Sequence, residues 1–138
     1  EVMTEVTTVA HAEGVEMERL LGALDPDWLA LDDNDRRSPG SPTLLAKHAV
    51  LLAVGARYRR LRSSMLSALE RGRVPPVDFL NGEVVSRAER HGLAVPMNRA
   101  LVASIQRLAT EGERPSLEHL QRFYDDTRSE LRSLSWAA

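Results

Sequence analysis

The chain has 138 residues, enough for one domain with a real core, and its 43% hydrophobic and 28% charged residues are the balance of an ordinary soluble globular protein. Aromatic residues make up only 4%, so the core must come from Leu, Val and Ala, which favours helices over a β-sandwich. A formal charge of −2 gives no reason to expect nucleic acid, and the lack of cysteine excludes disulfides, thiolate catalysis and Cys-based zinc sites.

The opening EVMTEV has neither a basic region nor an apolar signal core, and no apolar run approaches the roughly 20 residues needed to span a bilayer. No membrane association and a cytoplasmic location are the defaults. Glu1 already sits inside an amphipathic pattern, the expectation for a fragment of a longer chain. Val2, Val6, Val9 and Ala10 recur at helical spacing, and Gly14 is placed to end that helix in a left-handed conformation. A short helix over Glu16 to Leu24 is predicted next. Asp25-Pro26 then pairs an N-cap with proline at the first helical position, starting a turn through Trp28 and Leu31.

Asp32 to Pro42 (DDNDRRSPGSP) is the most polar stretch and reads as a surface loop. Ser41-Pro42 repeats the cap-and-proline signature and opens the longest predicted helix, Thr43 to about Arg71, closed by Gly72. Leu44, Leu45, His48, Leu51, Leu52, Gly55, Tyr58, Arg62, Met65 and Leu69 share one broad face of it. Val74-Pro75-Pro76-Val77 is extended, because proline restricts the residue before it and lacks a donor. Asp78 is expected to cap a helix running to His91, with Leu80, Val84, Ala88 and His91 on one stripe and Gly92 as its stop. Pro96 starts a helix with Leu101, Ile105 and Leu108 buried. After a Glu111–Pro115 loop, Ser116 caps a last helix carrying Leu117, Leu120, Phe123, Tyr124, Leu131 and Leu134. No strand alternation and no Gly-rich phosphate loop are present, so an all-α bundle of about five or six helices is predicted, as one domain over 1–138.

Few residues invite chemistry. Lys47 is the single lysine against seventeen arginines, and with His48 it forms the only Lys-His pair. The pattern places Lys47 in solvent and His48 in a packing contact. The histidines at 11, 48, 91 and 119 lack metal-ligand spacing such as His-x-x-x-His, so no metal site is expected. Arg57, Arg59, Arg60 and Arg62 form a basic run on the long helix, read as a solvated face, with Arg62 on the side from which it reaches a carboxylate. Asp125, Asp126 and Glu130 are spaced to pair with Arg122 and Arg128.

One ordered block stands out. Ser63-Ser64-Met65, Glu70-Arg71-Gly72-Arg73, Asp78-Phe79-Leu80-Asn81-Gly82, His91-Gly92 and Pro96-Met97-Asn98 together resemble the C-terminal domain of the ketopantoate reductase (2-dehydropantoate 2-reductase) family. Glu1 to Gly14 resembles the helix before that block, and beyond Leu108 the resemblance fades. The resemblance implies a helical, 6-phosphogluconate-dehydrogenase-like bundle that binds a 2-keto acid and dimerises. It also implies a Rossmann domain and a lysine-bearing helix upstream of Glu1, with NADPH bound by the full-length protein and no cofactor by this chain. Only Ser64 corresponds to a substrate-binding residue, and no catalytic residue is carried over. Leu61, Ala68 and Pro76 replace an asparagine, an aspartate and a glutamate of the family pattern, which makes a keto acid other than ketopantoate plausible. Leu61, Ala68 and Pro76 also motivate a second reading, a non-catalytic dimerisation module derived from that family; Val2, Val6, Val9, Leu101 and Ile105, more apolar surface than a lone domain is expected to bury, point to dimerisation in general.

Overall fold

The structure is a computed structural model that describes residues 1–19, 24–112 and 115–134. Every regular element among these residues is helical, as the composition implies: α1 (Val2–Ala12), α2 (Pro26–Leu29), α3 (Asp33–Arg37), α4 (Pro42–Arg57), α5 (Ser64–Glu70), a π-helical turn (Asp78–Gly82), α6 (Glu83–Arg90), α7 (Pro96–Glu111) and α8 (Leu117–Leu134). Among the described residues no helix is long and apolar enough to cross a membrane. The chain forms two compact units, Glu1–Leu61 and Arg62–Ala138.

In the first unit, α1 packs on α2 and ends where Gly14 takes φ +72°. Its covered face carries Thr4, Glu5, Thr7 and Val9, whereas Val2 and Val6 are half-buried. The Thr4 hydroxyl ties α1 to the chain after α2, since its Oγ1 accepts the Leu31 amide at 2.8 Å. Asp25 caps α2 through Oδ1, which accepts the Asp27 amide at 2.9 Å, with Pro26 at the helix start. Residues Glu16–Arg19 are not helical, so the predicted second helix is absent there, and its remainder at 20–23 lies outside the described residues. A helix of two to three turns supplies few hydrogen bonds to offset the cost of nucleation.

The Asp32–Pro42 stretch is not a plain surface loop. Asp32 and Asp35 form a reciprocal capping box that nucleates α3, and Asp35 is buried. Across from it, Lys47 of α4 is also buried, while His48 is exposed, the reverse of the predicted arrangement. The covered stripe of α4 is Leu44, Lys47, Val50 and Val54; Leu45, Leu51, Leu52 and Tyr58 lie largely in solvent. The long helix is also split. It stops at Arg57, passes through a turn at 58–60, and restarts at Ser64 because Ser63 accepts the Leu66 amide at 3.1 Å. The arginine run therefore straddles a break rather than lining a helix.

In the second unit, Gly72 and Gly92 close α5 and α6 with φ +62° and +64°, as expected of left-handed stops. Val74 and Pro75 are non-helical as expected, but Val77 is not extended: it already has helical angles (φ −63°, ψ −34°) and is almost fully buried. Asp78 does not cap a helix: it lies inside the π-turn and makes no cap hydrogen bond. A π-turn holds one residue more than an α-turn, which rotates the residues before it out of phase with α6. Leu80 is thus exposed, as is His91, which is the C-cap beyond the end of α6, and Val84 and Ala88 alone of the predicted stripe face inward. Pro96 starts α7, whose Leu101, Ile105, Leu108 and fully buried Asn98 face the π-turn, α6 and α8. Ser116 Oγ accepts the His119 amide at 3.3 Å at the start of α8. There the covered positions are Phe123 and Thr127, not Leu117, Leu120 and Tyr124, while Leu131 and Leu134 lie outside the residues whose side chains are described.

Candidate functional site

The two serines of the Ser63-Ser64 pair divide their work. Ser63 is the N-cap of α5, its hydroxyl committed to the Leu66 amide. Ser64 is the first helical residue and is exposed, so its hydroxyl is not spent on capping and faces solvent. Just before it, the Arg62 guanidinium donates to Glu70 Oε1 at 2.9 Å, a partner the sequence pattern did not identify. Arg62 and Glu70, with Leu66, Leu69, Gly72, Gly112 and Pro115, line an open recess of ≈ 650 Å³; Ser64 is not among its lining residues. Of the positions where the sequence departs from the family pattern, Leu61 is 72% exposed, Ala68 and Pro76 half-buried.

The residues that carried the resemblance meet in the second unit. Asn81, in the π-turn, donates from Nδ2 to Oδ1 of the fully buried Asn98 at 2.9 Å. Asp78 Oδ1 accepts from Gln106 Nε2 at 2.7 Å, a second tie between the π-turn and α7. The Asp-x-x-Asn-Gly and Pro-x-Asn motifs thus clasp two elements together instead of presenting groups to a ligand. The buried amide needs such a partner, because an unpaired amide away from water costs about 1–3 kcal/mol. Gly82 does not admit a neighbouring helix: a Cβ there would meet Asp78 Cβ at 3.6 Å, ordinary contact within its own turn. No motif marks the Asp78–Gln106 bond; glutamine is common on exposed helix faces.

The buried ionic group that the sequence did not reveal is Lys47–Asp35. Lys47 Nζ donates to Asp35 Oδ2 and to the Ala30 carbonyl at 2.7 Å. Its hydrogen bond to Asp35 holds that carboxyl below the usual carboxylate range, against the opposing effect of burial. The other oxygen, Asp35 Oδ1, is buried without a hydrogen-bond partner. A lysine so enclosed fixes α3 and the end of α2 against α4; with both contacts made and solvent shut out, it is not arranged as a general acid. The pairing was hidden because its partners lie twelve residues apart on different elements. The capping-box spacing Asp32-x-x-Asp35 was the available clue.

A cleft of ≈ 330 Å³ lies between α7 and α8, lined by Ala103, Ser104, Arg107, Glu111, Arg122 and Phe123 among others. No group of three or more metal-ligating side chains occurs among the described residues.

Residues 1–109 match the family model described as ketopantoate reductase PanE/ApbA C terminal. A 41-residue stretch is 46% identical to 2-dehydropantoate 2-reductase of Archaeoglobus fulgidus, covering 30% of this chain and 14% of that protein. The chain therefore aligns with only a small part of that relative's length. No solved structure matches it.

Proposed function

The chain belongs to the ketopantoate reductase C-terminal domain family, and we propose that it is the helical substrate-binding and dimerising part of an NADP-dependent reductase acting on a 2-keto acid. The observation that supports this reading is the division of labour at Ser63 and Ser64: capping is done by Ser63, which leaves an exposed hydroxyl on Ser64 at the family's substrate-serine position. In this role Ser64 donates a hydrogen bond to the keto acid and orients it. NADPH supplies the hydride in such a reaction. The present residues do not fit the nucleotide, since the sequence has no Gly-rich phosphate loop, so no step is assigned to it here. Leu61 and Pro76 offer no polar group where the family pattern has an asparagine and a glutamate, which favours a keto acid without a hydroxyl at its far end.

The test is a steady-state NADPH-oxidation assay with a panel of 2-keto acids, run on the full-length protein. Ser64→Ala should raise KM about tenfold with little change in kcat, the loss of one hydrogen bond to a charged substrate. Thermal melting should be unaltered, because the residue is exposed and is not the cap. An unchanged KM would make Ser64 a plain helix residue. The isolated chain should neither oxidise NADPH nor bind it; micromolar binding would overturn this assignment. If the full-length protein reduces no keto acid yet elutes as a dimer, the family-derived interaction module is the correct account. The apolar side chains Leu61, Val74 and Phe79, all more than two-thirds exposed, favour that second reading.

A further inference from the structure

One wall of the α7–α8 cleft is a helix beyond the family match, since α8 begins at Leu117 and the match ends at residue 109. Its apolar lining comes from Ala103, Leu108 and Phe123, and its polar lining includes Arg107, Arg122, Ser104 and Glu111. Among the described residues, Arg107, Arg122 and Glu111 form no ion pair, although other arginines with a carboxylate at helical spacing are paired: Arg37 with Asp33 and Arg87 with Glu83. The order along the helix accounts for the difference at Arg107. In both paired cases the acid precedes the arginine by four residues, the favourable orientation. In Arg107/Glu111 the arginine comes first, the unfavourable order, whereas Arg122 makes no ion pair with Glu118 four residues before it or with Asp126 four residues after it. The expected Arg122 counter-charge is not realised, and Arg128 instead packs over the Tyr124 ring at 5.8 Å. His119 and Asp126, which also line the cleft, are engaged in other interactions, His119 Nδ1 with Ser116 Oγ at 2.7 Å.

The cleft thus offers two guanidiniums and a hydroxyl as donors, one carboxylate as acceptor, and apolar side chains beside them. A phosphate or other dianion would meet Glu111 and Asp126 as repulsion, and a simple cation would meet both arginines. We propose that this cleft binds a small zwitterion of the α-amino-acid class. Its carboxylate is held by Arg107 and Arg122, with Ser104 donating a further hydrogen bond; its ammonium lies against Glu111; an aliphatic side chain lies over Phe123. Charge-assisted, bidentate contacts of guanidinium to carboxylate make the acid end the stronger anchor.

The test is a titration of the isotope-labelled full chain by two-dimensional NMR with three probes of one shape: L-leucine, 4-methylpentanoate and 3-methylbutylamine. L-leucine should give saturable shifts confined to residues 100–112 and 115–128, with a Kd at or below about 1 mM. The acid should bind more weakly and the amine not at all. R107Q and R122Q, both at exposed positions, should each weaken leucine binding by about tenfold. E111Q should abolish the preference for leucine over the acid. The proposal is overturned by non-saturable shifts, by equal affinity for leucine and the acid, or by R107Q and R122Q variants that fold and bind as the parent does.

Discussion

Replacing Asn98 by alanine tests whether the family's motif residues hold the fold together. Asn98 is 0% exposed and its Oδ1 accepts from Asn81 at 2.9 Å. Truncation forfeits a neutral hydrogen bond, a net loss of about 1 kcal/mol. It also leaves a void of roughly 30 Å³, worth about 0.7 kcal/mol at the usual cavity cost. Asn98 has at least one further interaction in the molecule, which raises the sum toward about 2–3 kcal/mol. In urea, monitored by circular dichroism, that lowers the unfolding midpoint by about 1–1.5 M for an m value near 2 kcal/mol/M. Asn81→Ala should cost somewhat less, because Asn81 is half-buried, although it strands the Asn98 oxygen. The double variant should show a coupling energy of about 1 kcal/mol between the two sites. Strict additivity, or an Asn98→Ala protein within about 0.5 kcal/mol of the parent, would refute the clasp and make Asn98 a candidate ligand contact again.

Other consequences follow from the buried groups. The Asp35 carboxyl is lowered in the folded state by its hydrogen bond to Lys47, so the unfolded chain takes up the proton first as pH falls. Its contribution is full above the unfolded value of about 3.9 and is lost as pH drops from there through the folded value. The melting-temperature gap between the parent and Asp35→Asn should therefore close in acid, and a gap that stays constant would count against the pairing. Lys47→Met alone should destabilise strongly, as it leaves Asp35 buried without its cation, whereas Lys47→Met combined with Asp35→Leu should regain much of the loss. Denaturation of the two variants decides; equal losses would mean the pair is not coupled. Val77→Ala, at a side chain 1% exposed, should cost about 2 kcal/mol in the same urea assay, and a loss below about 0.5 kcal/mol would mean that the site is not tightly packed.

Helix ends were legible because they depend on single residues with local chemistry. Asp25-Pro26, Ser41-Pro42 and Pro96 start helices where proline costs no hydrogen bond, and Gly14, Gly72, Gly92 and Gly112 sit at positive φ beyond helix ends. Helix faces were less legible. Periodicity identifies an apolar stripe only if the helix is continuous and fully covered. The break at 58–63 and the extra residue of the π-turn each shift the phase, and neither is marked by proline or by a glycine at positive φ. The signal for the break was Ser63 as a cap after a basic run, since arginines suit a helix C-terminus and serine a start.

The site divides along the same line. Motif residues spaced closely in sequence announced an ancestry, but the structure spends Asp78, Asn81 and Asn98 on joining the π-turn to α7. A family signature that includes such residues follows the fold whether or not chemistry persists, because losing Asn81 strands the buried amide of Asn98. Under the proposed function the substrate contacts carry no such penalty, and it is at those proposed positions that Leu61, Ala68 and Pro76 depart from the pattern while Ser64 remains. The clasp can therefore be kept while the substrate changes. Activity has to be judged at Ser64 and its surroundings, where stability exerts the least hold on residue identity.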